Sequence, residues 1–150
     1  MERTLCLLKP DAVQRGLVGR IVDRFENKGL KIVGMKMIWM DLDLAKVHYE
    51  AHVDKPFFPG MSGFMTSSPI LALALEGDNA VEVLRNMMGA TNPQNADSGT
   101  IRADFAISIG RNLVHGSDST ESAKRELGIF FKENEIFEYG RDQEKWIIES

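Results

Sequence analysis

The shortages in this sequence are the first guide to it. A single cysteine, Cys6, stands in 150 residues, so no internal disulfide can form. A reducing compartment is the natural setting, and Cys6 inside "TLCLLK" reads as packing in a buried strand. Positive charge is not in excess: 18 Lys and Arg stand against 22 Asp and Glu, leaving −4. That excludes a global basic field for nucleic acid or an anionic membrane. Any polyanion must be met by a local cluster of cations. No apolar run approaches the roughly 18 residues of a membrane span. The start, "MERTLCLLKPDA", is broken by Lys9 and Pro10 and lacks the core of a signal peptide. A cytoplasmic protein with no membrane partner is expected. The common phosphate loops, GxxxxGK[ST] and GxGxxG, are also missing, and "GMSG" is only a bare GxxG.

What is present suits one ordinary folded domain over residues 1–150. The chain is 43% hydrophobic and 27% charged, enough apolar material for a core and too much for disorder. "TLCLLK" and "LKIVGMKMIWM" have strand character. "PILALALEG" alternates large Leu or Ile with Ala, a strand set between two unequal surfaces. "DFAISIG" alternates as well and is expected to be a strand leading to His115. Val18, Ile21, Val22 and Phe25 form a helical stripe that Gly29 stops. "DLAKVHYEAHV" is expected to be helical, capped by Asp43, with Leu44, Val47, His48 and Ala51 on one face. A further helix follows Asp78 and closes at Gly89. "DSTESAKRELGIFF" predicts another, capped by Asp118 or Ser119, with Ala123, Leu127 and Phe130 inward. "DKPFFPGMSG" reads as turns, "GATNPQNADSGT" as a loop, and the tail "EIFEYGRDQEKWIIES" still has apolar residues to bury.

The resulting βαβαβαβα order suggests an α+β, ferredoxin-like βαββαβ antiparallel sheet with helices covering one face. A parallel doubly wound sheet is the alternative that periodicity allows.

Chemistry concentrates at "RNLVHGSDS", residues 111 to 119. His115 precedes a helix N-terminus, which favours anions, with Arg102 and Arg111 nearby. Spacing alone leaves it open whether His115 reacts or packs. His48 and His52 lie at i, i+4 and could share a helix face as metal ligands, but no HExxH pattern accompanies them.

Long stretches then carry a resemblance. "ERTLCLLKPDAVQRGLVGRIVDRFENKGLKIVGMKM", "HYEAHVDKPFF", "MGATNPQNADSGTIRADFAISIGRNLVHGSDS" and "SAKRELGIFF" resemble nucleoside diphosphate kinases over essentially the whole chain. "NLVHGSDS" matches the family's N-x-x-H-G-S-D signature. The resemblance implies the ferredoxin-like fold. It also implies γ-phosphoryl transfer from a nucleoside triphosphate to a diphosphate, by a ping-pong cycle with Mg²⁺ held mainly by the nucleotide phosphates. His115 then matches the nucleophile, Glu126 the carboxylate that orients it, and Ser117 a hydroxyl beside both. Lys9, Arg85, Thr91, Arg102 and Asn112 match the nucleotide-binding set. Tyr49 matches a residue near the phosphates, Phe57 the aromatic that stacks on the base, and Ile109 the opposite face. Broad base and sugar tolerance follows if the base is stacked rather than read.

Ala12 and Ala103 stand where the family commonly has glycine, and "NADSGT" lacks a frequent proline. Neither change removes a functional group. A homo-oligomer is implied, and the tail and the loop around Pro93 resemble the hexameric branch more than the tetrameric one. Two other readings fit the fold: a phosphohistidine carrier that passes phosphate to a protein, and a nucleic-acid-binding module. The RNA-recognition strand pattern is missing and the charge is acidic, so nucleic acid is at most a secondary partner.

Overall fold

The computed structural model describes residues 1–149. A four-stranded sheet carries the structure, in the order β2-β3-β1-β4 with every neighbour antiparallel. Strand β1 is Glu2–Leu8, β2 Lys31–Ile38, β3 Ile70–Gly77 and β4 Val114–Gly116. Helices α1 (Pro10–Gln14) and α2 (Val18–Lys28) link β1 to β2, and α5 (Ala80–Met88) and α6 (Ile101–Phe105) link β3 to β4. This is the βαββαβ frame. Between β2 and β3 the chain inserts α3 (Leu42–His48) and α4 (Phe58–Met65), and α7 (Thr120–Phe130) follows β4.

The helices cover both faces, not the single face expected. One core layer joins Cys6, Leu8, Leu71, Leu73 and Leu75 to Ile21 and Phe25 of α2 and Leu84 of α5. The other joins Leu5, Leu7, Ile70, Ala72 and Ala74 to Ala45 of α3, Met65 of α4 and Leu127 and Phe130 of α7. Burial on both sides explains why all of β3 is buried and why it reads as nearly continuous apolar sequence. Its Leu face takes one layer and its Ala face the other, in which α7 packs chiefly over β1. No helix among the described residues is long and apolar enough to cross a membrane.

Several local expectations hold for the reasons given. Gly29 ends α2 at φ 103°, a backbone setting that favours glycine. Ser119 caps α7 by accepting from the Ser122 N–H. Other expectations fail. "DFAISIG" is not a strand. The Thr100 hydroxyl accepts from the Ala103 N–H and starts α6, burying Ile101 and Arg102. Ile107 and Ile109 are left exposed, so the alternation there faces no core. The cap of α3 is Asp41 rather than Asp43, and the helix ends at His48. Val47 and Ala51 are exposed, while Ala45 and His48 are buried. The "turns" around Phe58 contain a full helix, α4, begun by Pro59 in its first turn. The tail hooks onto β2, where the Phe137 N–H donates to the Val33 carbonyl, yet Phe137 and Trp146 remain exposed.

Candidate active site

His115 lies within β4, not after a strand, and its register partner is Leu7. The approach to it is unusual. Leu113 holds φ at 74°, and the Val114 N–H donates back to the Asn112 carbonyl across it, closing a γ-turn. A non-glycine residue in this region costs roughly 1–3 kcal/mol and persists only where its surroundings over-determine it. Here they do. The Leu113 N–H donates to Asp11 Oδ2, its carbonyl accepts from the Lys9 N–H, and its side chain is fully buried. After His115, Gly116 lets α5 come close: a Cβ there would lie 2.7 Å from Met88 Cε.

The His115 ring is fixed by α7. Nε2 lies 2.5 Å from Glu126 Oε1, and the Ser117 hydroxyl donates to Oε2 at 3.1 Å. Burial pushes the Glu126 carboxyl up. The His115 hydrogen bond, the charges of His115 and His48 and the Ser117 bond outweigh that and hold it below the usual range. An ionised carboxylate only accepts, so Nε2 carries a proton, and in the neutral ring Nδ1 keeps a lone pair.

Cations gather beside the ring. The Arg102 guanidinium is buried and donates to the carbonyls of Gly89, Asn112 and Val114 at 2.7–3.2 Å. Three of its five N–H groups are thereby spent on backbone, so the charge is held in place without a carboxylate to cancel it. Lys9 Nζ donates to Asn112 Oδ1 at 2.8 Å, and the Asn112 amide donates to the Thr91 carbonyl. Burial, with the charge of Arg102, pulls the Lys9 ammonium down to about 8, and Asp11 works the other way. Arg85 is exposed on α5 at the rim.

These groups line a cleft of about 1520 Å³. Lys9, Tyr49, Phe57, Arg85, Thr91, Arg102, Ile109, Asn112, His115 and Glu126 all face it. Ser117 alone of the expected set lies behind it, fully buried against Glu126. Phe57 and Ile109 are both more than half exposed, with the His52 ring 5.5 Å from Phe57. Burial and the nearby Glu126 charge push the Tyr49 phenol up to about 12, so it stays protonated.

Sequence reasoning missed the roles of Asp11 and His48, and gave Arg111, though near His115 in sequence, no place in the cleft. Asp11 clamps the strained turn. Arg111 places its guanidinium 4.2 Å from the Phe64 ring at the open end. His48, which spacing sets beside His52 and on the packed face of its helix, is turned by the fold to His115, with ring centroids 5.0 Å apart. No spacing rule could have found that pair, because α3 and β4 meet only in the folded chain.

A covalently available imidazole nitrogen among cations that no carboxylate neutralises suits the passage of a phosphoryl group, which marks a phosphotransferase of ferredoxin-like fold. Comparison with known proteins agrees. The family model described as nucleoside diphosphate kinase matches residues 2–136. The nucleoside diphosphate kinase of Desulforamulus reducens is 54% identical over 99% of this chain and all of its own. That of Pyrococcus horikoshii is 56% identical over 93% of this chain and 91% of its own. A solved halophilic nucleoside diphosphate kinase from Halobacterium salinarum, in complex with CDP, superposes with a TM-score of 0.96 at 47% identity, covering 99% of both chains. The chain belongs to the nucleoside diphosphate kinase family, enzymes that move a phosphoryl group between nucleotides.

The family's reaction needs a divalent cation. Among the described residues one group of three could ligate a metal, His48, His115 and Glu126. Two imidazoles and an already bonded carboxylate do not make the oxygen cage that a hard cation prefers. The residues present therefore fit a cation that reaches the cleft on phosphate oxygens.

Proposed function

We propose that the protein regenerates nucleoside triphosphates by a ping-pong cycle through a phosphohistidine at His115 Nδ1. The observation that carries this is the 2.5 Å contact between His115 Nε2 and Glu126. It commits one nitrogen to the carboxylate and leaves the other unprotonated beside Lys9 and Arg102. In the first half, the Nδ1 lone pair attacks the γ-phosphorus. The P–N bond forms, the bond to the β-phosphate oxygen breaks, and the diphosphate leaves with that electron pair. Glu126, steadied by Ser117, stabilises the positive charge that develops on the ring. Lys9, Arg85 and Arg102 face the charge spread over the phosphoryl oxygens. The second half reverses these steps onto a different diphosphate.

Mg²⁺ would arrive with the nucleotide, held mainly by its phosphates, and would offset part of their charge. Asn112 and Thr91 meet the sugar and phosphates, Tyr49 closes the wall beside them, and Phe57 and Ile109 sandwich the base. Stacking contributes roughly 1–3 kcal/mol per base whatever the base. Broad base and sugar tolerance follows, and the CDP bound by the Halobacterium relative supports a pyrimidine in this cleft.

Assembly as a homo-oligomer is supported by β2, and the resemblance of the tail and the Pro93 loop to the hexameric branch favours a hexamer over a tetramer. Strand β2 ends the sheet, and Met35 and Met37 on it and Trp39 just beyond it stand exposed. Light scattering distinguishes the two assemblies. The buried free Cys6 supports a cytoplasmic setting.

The test is labelling. Protein incubated with γ-labelled ATP and Mg²⁺ is expected to give an acid-labile, alkali-stable phosphoenzyme that an unlabelled diphosphate of another base discharges. Absence of the phosphoenzyme overturns the cycle. A phosphoenzyme that no diphosphate discharges identifies a carrier instead.

A further inference from the structure

His48 is buried, with 7% exposure, and neither of its ring nitrogens has a hydrogen-bond partner. Buried polar atoms are rarely left so. Tyr49 and Phe130 pack on its ring at centroid distances of 4.4 and 5.1 Å, which keeps it in place. Its other aromatic neighbour is His115, edge-on at 89°. One nitrogen of His48, one of His115 and an oxygen of Glu126 all lie within 4.8 Å of one another. Two neutral imidazoles and a carboxylate are a donor set for zinc, with a fourth position left for water. Zinc bonds of about 2.0–2.2 Å put ligand atoms about 3.3 Å apart in a tetrahedral site. Small side-chain rotations reach that separation, opening the His115–Glu126 contact and closing the other two.

We propose that His48, His115 and Glu126 form a zinc site whose occupation switches the enzyme off. The metal takes the place of the Nε2–H hydrogen bond between His115 and Glu126. His115 stays neutral: its one ring proton moves through solvent from Nε2 to Nδ1, with no net release. Nδ1 then has no lone pair with which to attack phosphorus. Zinc therefore stops the reaction by reversing the tautomer, not by filling the nucleotide cleft. Mg²⁺ does not mimic this, because it prefers six oxygen ligands. Binding rests on the geometry of the three side chains. Inhibition rests also on the reading of His115 as nucleophile.

The test uses the full-length protein without nucleotide. Titration with Co²⁺ is expected to give tetrahedral visible bands at one metal per chain, which Zn²⁺ displaces. Nitrogen-15 spectra of the ring are expected to show the His115 proton on Nε2 without metal and on Nδ1 with zinc. Losing an outer-shell partner costs a metal site about 10–100-fold in affinity, so losing a ligand in His48→Phe should weaken zinc at least about 100-fold. His52→Ala should leave zinc affinity unchanged. At a fixed, buffered free zinc concentration, labelling by γ-labelled ATP should fall more than about tenfold relative to the same protein without zinc, as a proton on the attacking nitrogen requires. A chelator should restore it. Absence of tetrahedral bands, affinity that survives His48→Phe, or affinity lost in His52→Ala overturns the site. If His48→Phe does not fold, the ring spectra of the native protein decide: a proton that stays on Nε2 with metal bound overturns it. If metal binds as described but the metal-free protein never labels, the nucleophile reading fails and the zinc site stands.

Discussion

The two ends of the cleft are built on opposite plans. At the phosphate end the central groups are gripped. Arg102 is held by three carbonyls, Asn112 lies between Lys9 and Thr91, and Glu126 lies between His115 and Ser117. At the base end Phe57 and Ile109 are mostly exposed and offer flat apolar surface. The difference fits what the proposed cycle asks of each end. A phosphorus atom must meet its nucleophile at about 3–3.5 Å and in line, so misplacement by an ångström is costly. A base needs only a surface to stack on, and every base has a π-face. Rigidity is concentrated where bonds change, and tolerance where they do not.

Substitutions can break or sharpen this contrast, and they rank by expected effect. His115→Asn should abolish phosphoenzyme labelling and lower turnover by at least about 10⁴-fold, with the melting temperature nearly unchanged. A variant that still labels fully would remove His115 from the chemistry. Glu126→Gln keeps the shape but loses the charge behind the ring. Turnover should fall about 10²-fold with little change in KM, a split that steady-state kinetics reads directly. At the other end, Phe57→Ala should raise KM about tenfold, and equally for purine and pyrimidine diphosphates. A loss confined to one base would show that this end reads base edges after all.

The smallest effect is that of pH on Lys9. Its ammonium titrates at about 8 in the folded protein, below its ordinary 10.5. Nucleotide KM should therefore rise a few-fold as pH passes upward through 8. Affinity thus falls, whereas stability should rise. The unfolded chain still binds that proton up to its ordinary value, so the folded protein gains stability between pH 8 and 10.5. Lys9→Met should remove both steps. KM and melting temperature measured on one pH series check that affinity and stability move in opposite directions.

Most of the frame was legible in the sequence because its elements follow local rules. Gly29 stops α2, Ser119 caps α7, and Leu-Ala alternation marks a strand between unequal layers. The failures share a physical cause. Around Phe105 an alternating pattern lost to the Thr100 cap and to the burial of Ile101 and Arg102 one turn earlier. Around Phe58, Pro59, Gly60 and Gly63 disguised α4, which forms because Phe58 and Met65 have a core to enter. At the site, residues with motif neighbours were legible through the whole-chain resemblance. His48 and Asp11 were not, because what they do depends on contacts between elements remote in sequence.

The left-handed turn at Leu113 has a consequence for how damage would reach the reaction. Leu113 packs in the same core layer as Ile21, Leu84 and Ile101, and its backbone sets the direction in which β4 leaves. The hydrophobic floor and the reactive nitrogen are thus parts of one lever, with a single residue as pivot. Trimming a methylene from the floor, as in Ile21→Val, should cost about 0.5–1.5 kcal/mol of stability. The same substitution loosens the packing around Leu113, and turnover measured beside melting temperature shows whether the loss reaches His115. Wear in this core would therefore be expected to reach the rate of the enzyme as well as the firmness of the protein.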